Sequence, residues 1–208
     1  NVLSGFTTFL TSKIHQVIIK KFDECWVPDQ QKSVFSGNLS KSNRKLNQKF
    51  IGVLSRFQKE ELEKSIDILI IISGPEPNRT FLEEKLISEF KTDERNKKWT
   101  SNTITFYNFM LSEELQEHIN SSKIIICRSG YSSILDAAVL GKKVFFIPTE
   151  NQLEQQYLGK YLEQNKRAPF SKIENFTSEK LNELKNYTGL NAIKTNFNKD
   201  LFRLFHCE

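Results

Sequence analysis

Three short apolar runs constrain this chain more than any other feature. Residues 66–72 read Ile-Asp-Ile-Leu-Ile-Ile-Ile, 123–127 read Lys-Ile-Ile-Ile-Cys, and 144–148 read Val-Phe-Phe-Ile-Pro. Each is shorter than a helix, rich in β-branched or aromatic residues, and closed by Gly, Pro or a polar turn. That combination marks strands buried on both faces. Between and after them lie segments of about ten residues or slightly more with helical character, at 77–90, 112–120, 131–140 and 152–164. Strands alternating with helices of this size require βαβ crossovers, so the expected fold is α/β, a Rossmann-like parallel sheet with helices on both faces.

The rest of the chain fills in this pattern. Shorter strands are expected at 49–54 and 102–107, and a strand-like run, Glu-Cys-Trp-Val-Pro, at 24–28. Residues 6–22 carry apolar positions at helical spacing, and 192–205 read as a terminal amphipathic helix. A further helix is expected at 177–186, with Thr177 as its N-cap, and Ser112 is expected to cap the helix that follows it. Gly141 is placed to stop the 131–140 helix. Residues 29–47, rich in Ser, Asn, Lys and Gln, read as a loop or linker, and 59–65 as a turn or short helix.

Composition excludes several classes. Of 208 residues, 38% are hydrophobic and 26% charged, which suits a folded domain and not a disordered or fibrous chain. No run approaches the roughly 18 apolar residues of a spanning helix. The three cysteines are too scattered for a disulfide framework or a zinc site, and a reducing, cytoplasmic setting is expected. His15, His118 and His206 are isolated. The net charge of +5 is mild. It does not point to nucleic acid, and it is compatible with an anionic substrate or with peripheral association at an inner membrane surface. P-loop, G-x-G-x-x-G and G-x-S-x-G motifs are absent.

In an open parallel sheet, ligands bind beyond the carboxyl ends of the strands. Four loops are expected to converge there: Ser73-Gly74-Pro75-Glu76, Asn108-Phe109-Met110, Arg128-Ser129-Gly130-Tyr131-Ser132-Ser133, and the loop from Pro148 to Gln152. The third is the most informative. It runs from a strand through a glycine into a helix start, where free backbone N–H groups suit a phosphate. Asp136 lies about a turn and a half further on, where a carboxylate can accept hydrogen bonds from vicinal sugar hydroxyls. The same residues also fit a plainly capped helix with a surface acid. Gln155 and Gln156 form an adjacent amide pair able to donate to and accept from hydroxyls, although neighbours on a helix point about 100° apart.

Taken together, Phe109, Arg128-Ser129-Gly130, Asp136, the 144–148 strand and Gln155-Gln156 stand in a familiar order. Residues 103–162 resemble the C-terminal, nucleotide-sugar-binding half of GT-B glycosyltransferases. The similarity is to the family 28 type, which includes the UDP-N-acetylglucosamine transferases of peptidoglycan synthesis. Upstream, Gly52 and Arg56 fit that family's G-x-x-x-R turn.

The resemblance implies a UDP-sugar donor, with no cofactor, and a glycan or lipid-linked acceptor. It implies uracil contact by the main chain at Phe109 and Met110 with Arg56 nearby, and ribose contact by Asp136. It implies diphosphate contact by Ser73, Gly74 and the start of the helix at Tyr131, and sugar contact by Gln155 and Gln156. Two departures are visible. The family usually carries Glu where Asp136 stands, and Glu76 follows the Ser73-Gly74 turn, where a carboxylate opposes a phosphate unless it points away or binds a cation. Residues 1–28 are expected to be the tail of an N-terminal acceptor domain, with 29–208 the donor-binding domain. The family's catalytic base belongs to the bulk of that acceptor half, of which residues 1–28 would be only the last elements, so no general base is expected in this chain, and it should bind a donor but transfer it poorly or not at all. Two alternatives share the fold: a non-catalytic subunit of a two-chain transferase, and a UDP-sugar epimerase or hydrolase.

Overall fold

The computed structural model describes residues 17–32, 34–41, 46–92 and 104–191. Most of the expected 6–22 helix, and all of the 192–205 helix, lie outside the described residues. The described residues divide into two compact units between Val53 and Leu54.

In the first unit, residues 17–19 are helical and the chain then enters strand β1, Cys25–Val27. It pairs in parallel with β2, Gln48–Phe50, setting Trp26 opposite Lys49. β2 is shorter than the 49–54 strand expected from the sequence. The polar stretch between these strands is more ordered than a linker. Asp29 is fully buried. Its carboxylate accepts hydrogen bonds from the N–H groups of Gln30 at 2.6 Å, Phe35 at 3.1 Å and Ser36 at 2.9 Å, and from the Ser36 hydroxyl at 2.5 Å. One side chain thus supplies the acceptors that a turn cannot supply for itself. Phe35 is fully buried and a 3₁₀ turn follows at Gly37–Ser40.

The second unit holds a three-stranded parallel sheet in the order β3-β4-β5: Ile66–Ile71, Ser122–Cys127 and Lys143–Phe146. The register sets Ile68 opposite Ile124 and Ile126 opposite Phe145. Its helices are α1 (Asn78–Thr92), α2 (Ser112–Ser121), α3 (Tyr131–Leu140) and α4 (Leu153–Gln164). On one face of the sheet, Ile124, Ile126, Phe145 and Ile147 pack with Leu82, Leu86 and Phe90 of α1. Phe176, Leu181 and Leu184 close the same layer. The alternate residues Ile125, Cys127, Val144 and Phe146 point to the opposite face and are equally buried. Beyond Lys123 and Lys143, the runs of β4 and β5 therefore carry no polar alternation because neither face meets water, whereas β3, expected to be equally buried, is half-buried with Asp67 exposed.

Several local expectations change. Residues 104–107 form no strand, and Ile104, Phe106 and Tyr107 are exposed. Alternating β-formers make a strand only where a ladder partner and a covered face exist. Here the Tyr107 ring instead meets His118 of α2 edge-on, at 5.2 Å between centroids. Residues 59–65 form neither helix nor strand. The expected 177–186 helix is present as a 3₁₀ helix, Ser178–Asn186, with i→i−3 bonds such as Tyr187 N–H to Leu184 O at its end. Thr177 holds the N-cap position without a side-chain bond, and the N-cap of α2 is Leu111, with Ser112 already helical. Gly141 ends α3 in the left-handed conformation at φ 63°, as its position predicts. Among the described residues no helix is long and apolar enough to cross a membrane.

Replacing Asp29 by Ala strands buried N–H groups of Phe35 and Ser36. The variant should lose about 2–3 kcal/mol, read as a lower urea midpoint, with faster hydrogen exchange at those two amides. Unchanged exchange there would show that the carboxylate does not hold the turn.

Candidate functional site

The carboxyl ends of β3, β4 and β5 are tied together by one side chain. Arg128 follows β4 directly and is only 3% exposed. Its Nη1 donates to the carbonyls of Ile147 at 3.2 Å and Pro148 at 3.0 Å, beyond β5. Its Nη2 donates to the Asn78 carbonyl at 2.7 Å, at the start of α1. The planar fork of a guanidinium suits three divergent carbonyls, which a lysine cannot reach together. Burial pushes the Arg128 pKa down, yet arginine stays charged in proteins. Its Nε and the nearby Thr149 Oγ1 are buried and make no hydrogen bond among the described residues.

A second group of bonds fixes the loop after β5. Ser129, fully buried, donates its hydroxyl to the Gln155 carbonyl at 2.8 Å. The Gln155 amide oxygen accepts the Thr149 N–H at 2.8 Å, and its Nε2 donates to Gln152 Oε1 at 2.5 Å. The starts of α3 and α4 are therefore held side by side. Gln155 spends its amide on the loop. Gln156, also half-buried, makes no side-chain hydrogen bond among the described residues.

The loop after β3 is held differently. Ser73 and Gly74 are exposed, and Gly74 has φ 108°, a conformation that only glycine adopts without strain. A Cβ there would stand 4.0 Å from Thr149 Oγ1, so this turn lies beside the loop after β5. Glu76, however, folds back over the start of α1. Its Oε2 accepts the Thr80 N–H at 3.2 Å and the Thr80 hydroxyl at 2.8 Å, while Oε1 accepts from Arg79 Nε at 2.7 Å. Thr80 first, then Arg79, hold the Glu76 pKa below the ordinary carboxylate value. A carboxylate thus already occupies the positive end of α1.

The start of α3 has no such occupant. Gly130 is its N-cap and no side chain caps it. Tyr131 and Ser133 are half-buried and Ser132 is exposed. Neither serine caps the helix, contrary to the plain-capping alternative. Five residues on from Tyr131, about 7.5 Å along the axis at 1.5 Å per residue, Asp136 is half-buried on α3. Its Oδ1 accepts the Ser55 hydroxyl at 2.6 Å, and Ser55 Oγ in turn accepts the Phe57 N–H at 3.0 Å. Burial raises the Asp136 pKa, while Ser55 and Arg56 oppose the rise. Arg56 lies over the Phe57 ring at 4.7 Å and donates to Ser112 Oγ at 3.2 Å. That contact sits two residues past Met110, next to the exposed Phe109.

The loops after β2, before α2 and along α3 thus gather Arg56, Ser112 and Asp136. The clamps of Arg128 and Ser129 gather the other three loops. Sequence reasoning found no site signal at Ser55 or Asn78, and placed Thr149 and Gln152 at the edge only as members of the fourth loop. Ser55 precedes Arg56 in the G-x-x-x-R turn, but only folding brings it to a carboxylate 81 residues away. Cys127, beneath α3, is pushed up to about 12 by burial and by the Asp136 charge, so it is an inert thiol.

Two outcomes test this geometry. Arg128→Lys should cost about 2–4 kcal/mol, because carbonyls placed for a fork lose charged donors, measured as a fall in urea midpoint. Ser55→Ala removes a bond to the ionised form of Asp136, so the Asp136 carboxyl should titrate at higher pH by NMR. A fall in its pKa would refute the assignment.

The glycosyltransferase family 28 C-terminal domain model matches residues 33–198. No curated protein and no solved structure matches the chain. The matched span includes the Arg56 turn, all three strands of the larger sheet, the uncapped start of α3 and both glutamines, in the α/β arrangement of one half of a GT-B fold. The chain belongs to glycosyltransferase family 28 and carries its C-terminal, nucleotide-sugar-binding domain.

Proposed function

We propose that the carboxyl edge of the β3-β4-β5 sheet binds a UDP-sugar, as the donor site of a hexosyl- or N-acetylhexosaminyltransferase acting on a glycan or lipid-linked acceptor. The observation that carries this reading is Asp136, held by Ser55 on a helix whose N-terminus no side chain caps. The carboxylate would accept the two ribose hydroxyls. The diphosphate would lie over the α3 start, at Gly130 to Ser133, where N–H groups and the helix dipole favour negative charge. Its role at Ser73 and Gly74 would be limited to close packing, because Glu76 already neutralises the α1 start.

The uracil would lie along the main chain at Phe109 and Met110, beside Arg56. Gln156, with its amide unspent, would read the sugar hydroxyls, and Gln155 would hold the loop that presents it. Arg128 and Ser129 would act as positioning residues, fixing the three loops around the donor. Charge that develops on the leaving diphosphate would be stabilised by backbone N–H groups already aimed at it. No cofactor beyond the donor itself enters this reading.

Asp136→Ala should weaken UDP binding by about 1–3 kcal/mol, the scale of hydrogen bonds to a charged group, as measured by calorimetry. Affinity should also fall as pH drops through the raised pKa of Asp136, since the protonated carboxyl loses one acceptor. Equal UDP affinity in the wild type and the variant would sink the site.

A further inference from the structure

The amino ends of the same strands frame a second cleft, far along the sheet from the donor edge. It has a volume of ≈ 590 Å³. Its walls are the 59–64 segment, the end of α2, the starts of β4 and β5 and the 3₁₀ helix Ser178–Asn186. Lys59, Lys64, Lys123, Lys142, Lys143 and Lys185 all line it, against only Glu60 and Glu61. Four of these charges are already engaged. Lys59 pairs with Glu61 at 3.3 Å, Lys123 pairs with Asp67 at 2.6 Å, and Glu60 accepts from Gln116 Nε2 at 2.5 Å. Lys64, Lys142, Lys143 and Lys185 have no carboxylate partner among the described residues.

The centre of the cleft is a single carbonyl. Asn120 O, at the end of α2, accepts from Lys142 Nζ at 2.9 Å and from Lys64 Nζ at 2.5 Å. Lys142 also donates to Ser122 O at 3.3 Å and is only 7% exposed. One buried lysine at a helix C-terminus has an ordinary structural reason, since it satisfies the last carbonyls and complements the dipole. A second ammonium on the same oxygen does not, because it brings a like charge to short range of the buried Lys142. The template is also rigid. Asn120 is fully buried, its Oδ1 accepts the Glu60 N–H at 3.3 Å, and its Nδ2 donates to the Gln58 carbonyl at 3.0 Å. The like charges are therefore held together by the fold. Consistently, burial first and then Lys64 push the Lys142 pKa down to about 8, with Glu61 opposing and Lys59 adding to the fall.

We propose that this cleft is an anion site that takes a phosphate group between Lys64 and Lys142, with Lys143 and Lys185 at its rim. An anion there relieves the repulsion the fold otherwise sustains. No aromatic side chain lines the cleft, so it offers no platform for a nucleobase, and the ligand is recognised through its phosphate. The group can come from a free phosphorylated metabolite or from a lipid headgroup. The site is separate from the donor edge and does not depend on the reading given for that edge.

The test uses the full 208-residue chain and three probes at constant ionic strength: pyrophosphate, vesicles of phosphatidylglycerol in phosphatidylcholine, and vesicles of phosphatidylcholine alone. Pyrophosphate should bind by calorimetry, and Lys64→Gln should weaken it at least tenfold. UDP affinity should be unchanged in that variant, so failure here is distinguishable from failure at the donor edge. Lys64 is exposed, so this variant should fold even where Lys142→Met does not. In the wild type, the Lys142 ammonium should titrate at higher pH with pyrophosphate bound. Binding only to the anionic vesicles, lost in Lys64→Gln, assigns the phosphate to a lipid and supports the site. Pyrophosphate binding equally to both proteins, or no binding of any anionic probe, overturns it.

Discussion

A buried guanidinium holds the carboxyl edge of this domain together. Strands of a parallel sheet are bonded along their length, but the loops beyond them have no ladder to fix their positions. Arg128 supplies that missing restraint by donating to carbonyls after β5 and at the start of α1. The cost is desolvation of a permanent charge, offset only because each N–H that is used meets a carbonyl. Ser129 and Gln155 repeat the device with neutral groups between α3 and α4. What emerges is a set of loops whose spacing is set by side chains pointing inward.

That edge presents two helix N-termini with opposite electrostatics. The start of α1 is neutralised by Glu76, whose carboxylate takes the Thr80 amide and pairs with Arg79. The start of α3 has no side-chain cap. A diphosphate placed at α1 would meet a like charge, whereas at α3 it would meet a helix start that no side chain caps. In the proposed donor site, Glu76 would therefore leave the diphosphate to α3, the helix that also bears Asp136. The amino edge of the sheet poses the reverse problem. There Lys64 and Lys142 converge on the end of α2, neither in an ion pair with a carboxylate among the described residues.

Much of this was legible before folding. The apolar runs identified β3, β4 and β5, and in β4 and β5 the reason is that a strand covered on both faces need not alternate. The helix ending at Gly141 was legible because only a residue without a Cβ takes the left-handed turn cheaply. Other features were not. The alternating segment at 104–107 looks like a strand in isolation, yet strand formation needs a neighbour, and no local pattern states whether one exists. The 29–47 stretch reads as a linker by composition. Asp29 turns part of it into an ordered loop through bonds spanning six and seven residues.

The sequence by itself determined the α/β class, the order of the three strands and four α-helices of the larger unit apart from the strand expected at 102–107, and the family, since these depend on periodicity and on local motifs. Tertiary structure decided the division of labour within those motifs. Arg128 and Gln155 became braces, while Asp136 acquired a partner in Ser55 and Glu76 became a helix cap. Lys64 and Lys142 were brought to one oxygen. Each of these outcomes rests on a hydrogen bond or a charge contact, which depends on direction and distance in space. Those quantities are fixed only when residues remote in the chain are packed around a common core.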